Sequence, residues 1–116
     1  MRFHVTTFFK VLGVGTFLLI FTLALQAGPA PDAGGDLFKH KCIMCHGADG
    51  KGYPNMKTPD FTDPKFQAKH TDDEITKTIK NGKPGTVMPA FKDSLSDDQI
   101  KALVAYIRSL DSSKKK

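Results

Sequence analysis

Apolar residues recur at three- and four-residue spacings near the end of the chain, at Ile100, Leu103, Val104, Ile107 and Leu110. That spacing draws one apolar stripe along a helix. Ser96 opens the helix, and Gln99 completes a capping box with it. Thr71-Asp72-Asp73-Glu74 makes the same opening for a second helix. It runs through Ile75 and Ile79 and stops at Asn81-Gly82, where glycine supplies a left-handed cap. A third helix is predicted from Asp36 to about Cys45. Asp36 suits its first turn, where the helix dipole favours negative charge. Leu37, Phe38, Lys41, Cys42 and Cys45 fall on neighbouring turns of one face.

Between Gly47 and Pro64 the periodicity vanishes, and Gly47, Gly50, Gly52, Pro54, Pro59 and Pro64 punctuate the segment. Long structureless loops are uncommon in compact domains and usually functional where they occur. A prosthetic group for the loop to wrap would account for this one. A second loop, Lys83 to Ser94, holds Val87-Met88-Pro89-Ala90-Phe91. No segment keeps a two-residue alternation bounded by turns, so the predicted fold is small and all-α.

The first 27 residues stand apart. Arg2, His4 and Lys10 form a basic start, Val11 to Leu25 is an almost unbroken apolar run, and Ala27 closes it. That order is a secretory signal. The run is also shorter than the roughly twenty residues a spanning helix prefers. Cleavage is expected near Ala27; an uncleaved segment would anchor the chain to the inner membrane. Either way the rest is exported, and the expected location is the periplasm. Residues 28–35 read as a Gly/Pro/Ala linker, 36–111 as the domain and 112–116 as a basic tail. A domain this small is marginal without a staple such as a disulfide or a bound cofactor.

The formal charge of +5 overstates any basic surface. Arg2 and Lys10 lie in the signal and Lys114, Lys115 and Lys116 in the tail, leaving a body near neutral. No basic stripe with interleaved aromatics exists, which argues against nucleic-acid binding.

The chemistry concentrates in Cys42-Ile43-Met44-Cys45-His46, the Cys-x-x-Cys-His pattern of c-type haem attachment. Two thiols three positions apart on a helical turn can each add to one haem vinyl group. The imidazole that follows then lies under the ring and can ligate iron. A thioredoxin-like pair would want a βαβ setting, which is missing. A zinc site would want more ligands, and only His40 and His70 remain after the signal. A disulfide across this spacing would be strained.

Methionine sulfur is a soft ligand, and Met/His ligation raises the potential of haem iron. Met44 lies inside the motif and cannot reach the opposite face of the ring. Met56 in the first loop and Met88 in the second both remain candidates, with His70 as a bis-histidine alternative. His40 reads as an exposed helix histidine.

These residues resemble the class I cytochromes c, especially the small single-haem bacterial periplasmic ones. The likeness covers Gly35 to Leu110. It rests on Gly35-Asp36-Leu37-Phe38, the motif with Gly47, Asn81-Gly82 through Phe91, and Leu95 through Arg108. The resemblance implies three to four helices and long loops wrapped around one covalent haem, with first and last helices packed together. Phe38 and Tyr106 should meet there, beside a core of Ile100, Leu103, Val104 and Ile107. The family's Met-Pro loop selects Met88 as the sixth ligand. The family also orients the haem histidine through a loop-proline carbonyl, for which Pro54 and Pro59 both qualify.

Cys42 and Cys45 are thus expected to hold one haem c, with His46 and Met88 as axial iron ligands. Two protein ligands leave iron no open position, so the expected role is a non-enzymatic carrier of single electrons. It would be monomeric and meet a membrane oxidoreductase or oxidase transiently. The alternatives are a haem subunit of a larger oxidoreductase complex, or a haem sensor or weak peroxidase should Met88 dissociate.

Overall fold

The computed structural model describes residues 32–115, so the signal-like segment 1–27 and the first half of the linker, residues 28–31, lie outside the described residues. Five helices follow in order: α1 (Ala33–Lys41), α2 (Ile43–His46), α3 (Pro64–Lys69), α4 (Asp72–Asn81) and α5 (Asp97–Ser109). Short 3₁₀ turns occupy Pro54–Met56 and Ser112–Lys114. No strand occurs among the described residues, as the sequence pattern requires.

Both predicted capping boxes form. Thr71 Oγ1 accepts from Glu74 N–H at 3.2 Å while Glu74 Oε2 accepts from Thr71 N–H at 2.9 Å. Ser96 and Gln99 repeat the arrangement at 3.2 and 2.9 Å. Each satisfies two otherwise orphaned donors, and the N-cap side chain alone contributes about 1 kcal/mol.

The first helix differs from expectation at both ends. It starts at Ala33, so Ala33, Gly34 and Gly35 belong to the helix rather than to a linker. It ends at Lys41, and Cys42 forms a turn before α2 resumes over the motif. Tail residues also return to the domain, since Ser112 N–H donates to Thr62 O at 3.1 Å.

Helix α5 lies across α1 and α4 and carries the core: Ile100, Leu103, Val104 and Ile107 are all buried, together with Phe38 on α1 (1% exposed). Phe38 and Tyr106 meet with ring centroids 5.1 Å apart. The crossing is close because Gly34 has no side chain. A Cβ there would collide with the Ala102 carbonyl and lie 3.0 Å from Tyr106 Cβ. We therefore expect Gly34→Ala to open the crossing and destabilise the domain by about 1–3 kcal/mol, read as a lowered midpoint in thermal unfolding followed by circular dichroism.

Candidate functional site

The helices do not close on one another completely. Between α1 and α2 on one side and α4 with the second loop on the other lies a cavity of about 670 Å³. That falls within the range typical of cofactor sites, about 300–1,000 Å³. Phe38, Phe61, Phe66, Leu103 and Ile107 make much of its wall apolar. Among the predicted site residues, Cys42, His46 and Met88 all line it. Cys45 does not; it sits one turn on, where its N–H donates to Cys42 O at 3.2 Å.

His46 reaches this wall because α2 restarts after the turn at Cys42. Its N–H donates to Cys42 O at 2.9 Å, and its own carbonyl accepts from Gly52 N–H at 2.8 Å. Burial lowers the imidazole pKa, which keeps the ring neutral and able to ligate metal. The ring stacks on Phe61, centroids 4.8 Å apart and planes inclined by 21°. Nδ1 is buried with no hydrogen-bond partner, so the proline carbonyl expected to orient it does not reach it. Pro59 shares the cavity wall with His46, whereas the Pro54 carbonyl accepts from Lys57 N–H at 3.1 Å.

No disulfide joins Cys42 and Cys45. Burial, then the nearby Cys45, raise the Cys42 pKa to about 11, with Lys41 opposing them. A thiol held that far above neutrality makes a poor exchange nucleophile, which sets Cys42 apart from the attacking thiol of dithiol redox motifs.

Met88 is brought in by the second loop folding back on α4. Phe91 N–H donates to Ile79 O at 3.0 Å and Lys92 N–H to Lys80 O at 3.1 Å, so the loop satisfies the carbonyls at the helix end. Lys83 N–H donates to Met88 O at 3.3 Å. Gly82 terminates α4 at φ 70°, ψ −175°, the glycine-only extended region rather than the left-handed cap expected. A Cβ at Gly82 would stand 2.8 Å from Met88 O and 2.9 Å from Ala90 N. Gly82→Ala should therefore push the Met88 loop outward, besides a backbone cost of about 1–3 kcal/mol. If Met88 ligates a bound haem, as the sequence leads one to expect, the result is partial loss of that ligation, measured as carbon monoxide binding to the reduced form.

The competing methionines lie off the cavity wall, whereas one competing histidine lies on it. Met56 does not line the cavity and is 39% exposed, and Met44 is 87% exposed. His40 is exposed on α1 as expected. His70 does line the cavity, tilted against Phe66 at 4.8 Å. Sequence reasoning overlooked Phe61 and Phe66. The available signal was two large aromatics in a stretch otherwise rich in Gly, Pro and polar residues.

A helical shell around an apolar cavity, with Cys42 and His46 of the attachment pentapeptide on its wall, is the architecture of a c-type cytochrome. Comparison with known proteins narrows that class. The model for "Cytochrome C oxidase, cbb3-type, subunit III" matches residues 29–107, and the chain belongs to this family of cytochrome c domains. It is 37% identical over 92 residues to the cbb3-type cytochrome c oxidase subunit FixP of Bradyrhizobium sp. strain ORS 278, covering 79% of this chain but 31% of that one. The chain thus spans about a third of the oxidase subunit's length. Cytochrome c6 of Leptolyngbya boryana is 37% identical over 75 residues, covering 65% of this chain and 86% of that protein. The solved KustC0563 c-type cytochrome superposes with a TM-score of 0.63 at 33% identity, over 67% of this chain and 96% of that one.

Proposed function

We propose that this domain carries single electrons on one haem c, bound through Cys42 and Cys45 and ligated by His46 and Met88. The observation that supports this best is the convergence of His46 and Met88, from opposite halves of the domain, on one largely apolar cavity. The residues present suit the cofactor. The apolar wall fits a macrocycle, and Lys57, Lys77 and Lys83 outnumber Glu74 around it, complementing two propionates. When bound, haem supplies a one-electron couple between ferrous and ferric iron.

The chain's own side chains then have distinct tasks. Cys42 and Cys45 Sγ hold the cofactor through thioethers, independently of the iron ligands. His46 presents a neutral ring nitrogen. Met88 Sδ presents a soft donor. Phe61, Phe66, Leu103 and Ile107 exclude water. With His46 and Met88 both ligating, the iron would keep no position for a substrate, which favours transfer over catalysis.

A second reading, a haem domain working within a larger oxidase, draws support from the family matched and from relatives that are oxidase subunits. In both readings the partner is a membrane oxidoreductase. Export to the periplasm rests on the signal-like segment 1–27; among the described residues no helix is long and apolar enough to cross a membrane.

Acid–acetone extraction tests the attachment. Protein from a host that attaches haem should keep its colour, and Cys42→Ala/Cys45→Ala should release it. A single replacement should be milder. If the parent protein loses its haem to the solvent, the covalent assignment is wrong. Gel filtration of the native extract separates a free carrier from a complex subunit.

A further inference from the structure

We propose that Gln67 and Arg108 are positioning residues that set the orientation of the His46 imidazole from outside the cavity, acting through Phe61. The inference rests on the haem reading above.

Neither residue lines the cavity. Arg108, on α5, has a side chain only 20% exposed, with its guanidinium donors spread over three partners. Nε donates to Asp72 Oδ1 at 2.6 Å, Nη1 to Gln67 O and Oε1 at 2.8 Å each, and Nη2 to His70 O. Because Arg108 takes up Gln67 Oε1, the carboxamide has one orientation, with Nε2 turned inward. Nε2 donates to Phe61 O at 2.6 Å and to Ile107 O at 2.9 Å.

Phe61 is therefore held at both backbone groups, since its N–H donates to Gly50 O at 2.8 Å. Its ring is packed by Phe38 and Phe66, with centroids 6.2 and 5.1 Å away. The remaining face lies against His46, nearly parallel. This stack is an aromatic contact that limits rotation of the ring. Groups that orient a ligating histidine tune the metal it binds. Arg108→Gln67→Phe61→His46 is thus a continuous chain of contacts ending at an axial ligand, and its first two members are 41 positions apart in sequence.

Gln67→Glu separates its two arms. Glutamate still accepts from Arg108 but cannot donate to Phe61 O. The loaded parent, Gln67→Glu, Gln67→Met, Phe61→Leu and the double variant Gln67→Met/Phe61→Leu would be compared. The readouts are ferric electron paramagnetic resonance, redox titration and thermal melting. Both Gln67 variants should shift the g-values and the potential in the direction that Phe61→Leu does. The double variant should go no further than Phe61→Leu alone, the signature of one shared route. A plain structural tie would lower the melting temperature and leave g-values and potential at parent values; that result overturns the proposal. So does a double variant whose shift is the sum of the two single ones. If Gln67→Met does not accumulate, Gln67→Glu and Arg108→Lys are judged by the same criteria. A parent protein that holds no covalent haem overturns the haem reading itself, and is recognised before any variant is compared.

Discussion

Substituting Met88 with alanine is expected to lower the reduction potential of the loaded protein markedly while haem content stays near that of the parent. Axial ligands move haem potentials over a range of about 0.8 V, and the change removes the soft donor without touching the thioethers or His46. Met88 is half-buried, packs against the core cluster and lines the cavity, and no other methionine among the described residues lines it. The weak red absorption band of methionine-ligated ferric haem should vanish, and the reduced form should bind carbon monoxide. Met56→Ala should change none of these, because Met56 lies off the cavity wall. The opposite pattern would reverse the ligand assignment. If neither substitution removes the band, His70, on the same wall, is the next ligand to replace.

The haem-free chain is expected to be largely unfolded. The cavity of about 670 Å³ is walled largely by apolar side chains, which the haem-free chain would leave facing water. A domain's whole stability is only about 5–15 kcal/mol. The core offers little in reserve: Phe38, Ile100 and Leu103 are the large side chains fully enclosed without a cofactor. Cofactor binding and folding should then be coupled, as in small metal domains. Far-ultraviolet circular dichroism of Cys42→Ala/Cys45→Ala, expressed without haem, checks this. A cooperative thermal transition would refute it.

Helices α4 and α5 were legible because each combines a capping box with a stripe of buried residues, two local signals that agree. Helix α1 was legible in kind but not in extent. Gly34 and Gly35 are poor helix formers and look like linker, yet they are helical because a side chain at Gly34 would bar α5. Helix α3 was missed because six residues are too few to show a period. Its start was nevertheless written in Asp63, which caps Lys65 N–H at 2.9 Å, and in Pro64 at the first helical position. At the site, the attachment motif is contiguous and so readable. The presence of Met88 rather than Met56 at the cavity depends on how α4 ends, which no short window contains. The contacts from Arg108 to Gln67 and His70 bridge about 40 residues and leave no local trace at all.

The close crossing of α1 and α5 has a consequence for how such a domain is joined to other chains. Its first helical residues, Ala33 to Gly35, and its last turn, Ser112 to Lys114, are both absent from the cavity wall. Chain added beyond either end therefore need not cross the opening through which electrons would pass. A tether at one end, or a neighbouring domain at the other, would join the domain away from that wall. That property suits one fold to nearly the whole length of a cytochrome c6 and to about a third of an oxidase subunit. Evolution can change what the domain is fastened to without rebuilding what it holds.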